Sequence, residues 1–162
     1  MVAGSFSDEI VSPVDAKRLW NAFVKDGHNL LPKQVPEIFS SITLLQGDGG
    51  VGTIKEVKLT PGAHKEFNYV KERVEEVDDA KLVYRYSHIE GGLLGKKVAS
   101  ARYELKYTPK PEGGTVCSST LYFDSLPGVP EDQAKIEEVK EKSTALFKKI
   151  EAYLLANPTL YR

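Results

Sequence analysis

Between Pro130 and Ala156 the chain carries a helical pattern too long to serve as a connection. Apolar residues fall at Ile136, Val139, Leu146, Ile150 and Leu154, with Phe147 and Tyr153 beside them. That is the spacing of one helix face. Pro130 stands at the start, Glu131 and Asp132 fall in the first turn, and Asn157-Pro158 stops the run. At a rise of ~1.5 Å per residue this helix would be ~40 Å long. A crossover between neighbouring strands needs far less, so the helix must lie across the face of a large sheet.

The sequence before it supplies that sheet. Gly4 to Val11 reads as a strand, and Ser12-Pro13-Val14-Asp15 as a helix start, with a hydroxyl N-cap, proline at the first helical position and an acid in the first turn. The helix from Val14 to Lys25 ends at Gly27, and a second short helix is expected over His28 to Lys33. Strand patterns follow at Ile38–Gln46, Val51–Leu59, Lys65–Val77, Lys81–Ile89, Lys96–Tyr107 and Thr115–Phe123. Asp78-Asp79 marks one of the turns between them. Seven strands joined mostly by short turns imply an antiparallel sheet, hence an α+β fold in one domain spanning 1–162.

Gly47, Gly49, Gly50 and Gly52 crowd the connection between the second and third strands. A phosphate-cradling loop would need Gly-Lys followed by Ser or Thr at the opening of a helix. Here Gly52 is followed by Thr53 and Ile54, the lysine comes only at Lys55, and a strand follows, so a hairpin connection is the better reading. The 22 Lys and Arg against 23 Asp and Glu leave no basic footprint for a nucleic acid. The single cysteine, Cys117, excludes an internal disulfide and suits a reducing, cytoplasmic setting. No secretory signal is read at Met1 to Glu9, and no apolar stretch approaches the ~20 residues of a membrane span. His28, His64 and His88 are far apart and lack a ligand pattern, so neither metal nor cofactor is expected.

Strand parity puts Phe67, Tyr69, Tyr84, Tyr86, His88, Ala99, Ala101, Tyr103, Leu105, Cys117, Ser119, Leu121 and Phe123 on one face. Close-packed cores favour Leu, Ile, Val and Phe, and buried hydroxyls need partners. Tyrosines, a histidine and small residues among apolar neighbours suit the wall of a binding pocket, although aromatic residues are common in any antiparallel sheet. Lys142 and Ser143 likewise interrupt the apolar stripe of the long helix.

Lys17-Arg18-Leu19, the run from Asn21 to Lys33, Gly47 to Lys55, Ile89-Glu90-Gly91-Gly92 and Glu151 to Ala156 together, in this order and spacing, resemble the plant pathogenesis-related proteins of class ten, the family of the major birch-pollen allergen. The resemblance covers essentially the whole chain. It implies a seven-stranded antiparallel sheet gripping the C-terminal helix, two short helices in a V beneath it, and an internal hydrophobic cavity. It implies binding, storage or transport of flavonoids, cytokinins, fatty acids, steroids and similar amphiphiles inside the cell, a link to defence, and a monomer without nucleic-acid partners. The implied wall comprises Phe23, Phe39, Val57, Leu59, Phe67, Tyr69, Tyr84, Tyr86, Ala101, Tyr103 and Leu105, with Lys142, Ser143 and Leu146 from the helix. Lys55, Arg73 and Lys140 would be polar contributors, and strand parity adds His88.

Two enzymatic alternatives accompany that resemblance. A ribonuclease site reported for some members uses two glutamates and a tyrosine. Glu151 and Tyr153 match, but Ala99 stands where the strand glutamate should be, and acid–base work on RNA normally needs both proton carriers. Relatives in alkaloid-making plants use the cavity for condensation or isomerisation. Lys142, Tyr103, Tyr84 and His88 would be the candidates here, without an evident acid–base pair.

Overall fold

The structure, a computed structural model, describes residues 2–130 and 132–162. Met1 and Glu131, the latter assigned by sequence to the first turn of the last helix, lie outside the described residues. The elements run β1 (Val2–Ser12), α1 (Ala16–Trp20) continuing into a π-helical turn (Asn21–Lys25), α2 (Gly27–Gln34), β2 (Phe39–Gln46), β3 (Ile54–Leu59), β4 (Tyr69–Asp78), β5 (Val83–Gly91), β6 (Val98–Pro109), β7 (Thr115–Ser125) and α3 (Gln133–Ala156). One sheet holds all seven strands in the order β1-β7-β6-β5-β4-β3-β2, every pair antiparallel. The two short helices therefore bridge its opposite edges, β1 and β2. Register shifts in the β2–β3, β4–β5 and β6–β7 pairs add twist and curve the sheet.

Local chemistry moves several expected boundaries. Ser12 belongs to β1, and its Oγ accepts from the Val14 N–H; the N-cap of α1 is Asp15, whose carboxylate accepts from the Lys17 N–H. Gly27 opens α2 rather than closing α1, since the Asp26 N–H reaches back five residues to the Asn21 carbonyl and closes the π-helical turn. Asp132 likewise caps α3 from outside, accepting from the Ala134 and Lys135 N–H groups, so the helix starts at Gln133. β3 starts late because the glycine loop bonds within itself and to β4: Thr53 N–H to Gly50, Gly52 N–H to Val74 and Val74 N–H to Thr53. The loop is a hairpin connection. At the β4–β5 turn the Asp78 carboxylate accepts from the Ala80 and Lys81 N–H groups, as the Asp78-Asp79 pair suggests.

The sealed core occupies one end of the molecule. Leu19, Trp20 and Ala22 meet Val35, Val74, Tyr107, Phe147, Ile150 and Leu154 there. Phe23 stacks on Phe147 with ring centroids 5.3 Å apart, and Trp20 meets Tyr107 edge-on at 6.1 Å. Arg18 ties α1 to the end of α3, its guanidinium donating to the carbonyls of Leu154, Asn157 and Leu160. Towards the other end α3 is little covered: Gln133, Glu137, Val139, Glu141, Lys142 and Ser143 are all exposed.

Candidate ligand-binding site

Alternation in β3 turns Lys55 and Val57 inward, and Ile54, Glu56 and Lys58 away from them. The register carries that inward line across the sheet. Lys55 lies opposite Glu72, and Glu72 opposite His88. A neighbouring line runs Val74, Tyr86, Tyr103, Leu121 and Phe6. Ring contacts fix the shared face. Tyr86 stacks on Tyr103 at 4.9 Å, while His88 lies 4.8 Å from Tyr103 and 6.2 Å from Tyr86.

The polar groups of this face are concentrated on β3, β4 and β5. The Lys55 ammonium donates to the Tyr84 hydroxyl at 3.1 Å, and His88 Nε2 lies 3.7 Å from Glu72 Oε2. Lys55 and Tyr84 are only 8% and 5% exposed. Burial pushes the Lys55 amine below its ordinary value, partly offset by the Glu72 carboxylate. Burial, then Glu72, pushes the phenols of Tyr84, Tyr86 and Tyr103 up. Tyr86 and Tyr103 nevertheless keep accessible surface, and among the described residues neither hydroxyl has a hydrogen-bond partner. No group of three or more His, Cys, Asp or Glu among the described residues could hold a metal ion.

Most of the expected wall shares this side of the sheet. Val57 and Ala101 are buried, Leu105 and Phe39 pack half-buried beside the core, and Phe23 and Leu146 face them from the helices. Lys140 leans over the ring of Phe6 at 5.9 Å. Leu59, at the end of β3, borders an open groove of about 540 Å³ that it shares with the outward residues Glu56, Lys58 and Tyr69, away from the concave face. Phe67 precedes β4 and stacks on His64 at 4.0 Å.

Other expectations need correction. In β4 the inward residues are Val70, Glu72 and Val74, so Tyr69 and Arg73 point outward. The Tyr69 hydroxyl donates to exposed Glu90, and Arg73 pairs with Glu75 at 3.1 Å. Lys142 and Ser143 are exposed, and Lys142 pairs with Glu138 at 3.0 Å. Ala99 is exposed because the strand shifts register between Val98 and Ser100. Glu72 was missed, although two valines flanking it at even positions carry the signal.

At the position of the ribonuclease alternative, Glu151 is buried, with Oε1 3.3 Å from Lys148 Nζ and Oε2 without a partner among the described residues. A carboxylate packed into the core has poor access to a polynucleotide.

A seven-stranded antiparallel sheet curved around a long C-terminal helix, with two short helices joining its edges, defines a helix-grip protein. The chain matches the Pathogenesis-related protein Bet v 1 family over residues 1–157, and it belongs to that family. It is 41% identical to the major strawberry allergen Fra a 1.08 of Fragaria ananassa over 157 residues, 97% of each chain. The crystal structure of Ara h 8.0201 superposes with a TM-score of 0.81 at 30% identity, covering 96% of this chain and 99% of that one. A norcoclaurine synthase point mutant from Thalictrum, in complex with a transition-state analogue, is similar with a TM-score of 0.77 at 25% identity over 98% of both chains. Among the described residues no helix is long and apolar enough to cross a membrane.

Proposed function

We propose that this protein binds, stores or carries small amphiphilic plant metabolites or hormones, of the flavonoid, cytokinin, fatty-acid or steroid kind, in a space between the concave sheet face and α3. One observation carries the reading. Tyr86 and Tyr103 lie deep enough for desolvation to raise their hydroxyls, yet both keep accessible surface and unpartnered oxygens. Sealed hydroxyls would cost free energy without partners, so open space before these rings is the economical account. Apolar walls supply affinity at roughly 25 cal/mol per Å² removed from water, and the hydroxyls orient a phenol or carbonyl. Few polar groups over a broad apolar wall favour loose selectivity. Family membership and the lone Cys117, outside any disulfide, support a cytoplasmic carrier linked to defence.

The fluorescent probe ANS tests this. The cooperatively folded protein should bind about one or two equivalents, displaced by a flavonoid or a cytokinin. Leu146→Arg should weaken probe binding about tenfold or more by placing a charge over the apolar face, whereas Glu151→Gln should leave it nearly unchanged. Tyr103→Phe, which removes only the hydroxyl, separates ligand orientation from folding. No binding to the folded protein, or equal losses in the Leu146 and Glu151 variants, would contradict the reading.

A further inference from the structure

Resting on the cavity reading above, we infer that Lys55 is a carbonyl-capturing residue: its amine, held inside the fold against Tyr84, forms a reversible imine with an aromatic aldehyde that enters as a ligand.

Lys55 is the one buried lysine among the described residues. It is in no ion pair there; its polar contact is the Tyr84 hydroxyl at 3.1 Å, and its ammonium lies 5.3 Å from the Tyr84 ring centre. A lysine kept only to bind anions would do as well on the rim, where water solvates it. Burial against a neutral phenol instead favours the free amine, the nucleophilic form. Around it stand the groups that imine formation needs. Tyr84 can relay a proton at Nζ, and Glu72 lies directly across the strand pair, with His88 3.7 Å from its carboxylate. Tyr86 and Tyr103 offer stacked rings beside them for an aromatic body.

The chemistry balances without a further reactant. The lone pair of neutral Lys55 Nζ attacks the carbonyl carbon. A C–N bond forms as the C=O π pair moves to oxygen, which takes up a proton, and nitrogen loses one. The Tyr84 hydroxyl can carry that exchange. A proton from the Glu72–His88 pair then lets the carbinolamine hydroxyl leave as water. Nitrogen gives up its remaining proton to the pair, so the products are one imine and one water. Hydrolysis reverses the sequence and frees the aldehyde.

Trapping decides it. The folded protein is mixed with a sub-stoichiometric amount of 2-naphthaldehyde, sodium cyanoborohydride reduces any imine, and peptide mapping locates the naphthylmethyl group. ANS binding is measured on the same preparation. Lys55 should be labelled at least about tenfold more than the mean of the exposed lysines. Lys55→Arg should abolish that labelling, and in the wild type excess 2-naphthalenemethanol, which fills the same space without a carbonyl, should suppress it. Tyr84→Phe should slow labelling roughly tenfold. Labelling spread evenly over surface lysines by a protein that binds ANS would overturn the imine and leave the carrier reading standing. Even labelling together with no ANS binding would overturn both. Should Lys55→Arg fail to fold, the wild-type map and its suppression by the alcohol carry the same two outcomes.

Discussion

Cys117 lies on the inward face of β7, opposite Tyr107 and Ile10, and its thiol is pushed up to about 12 by burial first and by the Glu151 carboxylate second. The thiolate is the reactive form. Alkylation of native protein near pH 8 should therefore run on the order of a thousandfold slower than that of the same cysteine after unfolding; comparable rates would mean the site is open and solvated. Gly47 is a second residue with a defined demand. Its φ is +86°, and a Cβ there would sit 2.6 Å from the buried Thr53 Oγ1. Gly47→Ala should cost about 1–3 kcal/mol in denaturant melts, more than Gly50→Ala, where φ is not left-handed and the added Cβ meets only Asp48 Oδ1 at 3.5 Å. Residue identity on the concave face was partly legible. Tyr84, Tyr86, Tyr103 and Leu105 follow plain alternation, and the structure puts them where alternation suggests. Arg73 and Tyr69 did not, because a sequence of mixed polar and apolar residues leaves a strand's facing open, and one residue of register reverses every side chain.

Among the elements, α3 was the most legible and is also the least uniform. Its later half buries Phe147, Ile150 and Leu154, whereas Gln133 to Ser143 is largely exposed. Amide exchange should accordingly be faster over Gln133–Ser143 than over Phe147–Leu154 by an order of magnitude or more. Uniform protection would imply a partner along the whole helix. The end of α3 depends on Arg18, whose charge sits among the last carbonyls, the arrangement a helix C-terminus favours. Arg18→Ala removes three hydrogen bonds and the buried side chain that makes them, so a loss of about 3 kcal/mol in thermal or urea unfolding is expected. Elements were easier to recognise than their ends. Ser12 and Asp15 can each cap a helix. Which one does so depends on where the preceding segment leaves the backbone. The π-helical turn after Trp20 had no sequence signal, since nothing in Asn21-Ala22-Phe23-Val24-Lys25 separates five-residue from four-residue bonding.

Across the whole molecule the seven-strand sheet and its gripped helix followed from turn spacing and one long helical period, both carried by residues near one another in sequence. The shape of the interior did not, because space between sheet and helix is a property of curvature and of side chains far apart in the chain. The bulges in β2–β3, β4–β5 and β6–β7 supply the curvature, and the sealed core at the α1–α2 end leaves the face around Tyr86, His88 and Tyr103 less tightly covered. On the proposed reading, the partly accessible, unpartnered hydroxyls of Tyr86 and Tyr103 serve as contacts for a guest. A crystal structure of the protein soaked with a flavonoid or naphthalene-like ligand tests this most directly. Ligand density is expected against the rings of Tyr86 and Tyr103, beneath α3, in an otherwise unchanged fold. Density showing that volume closed by the protein's own side chains, with the ligand only in surface grooves, would contradict it.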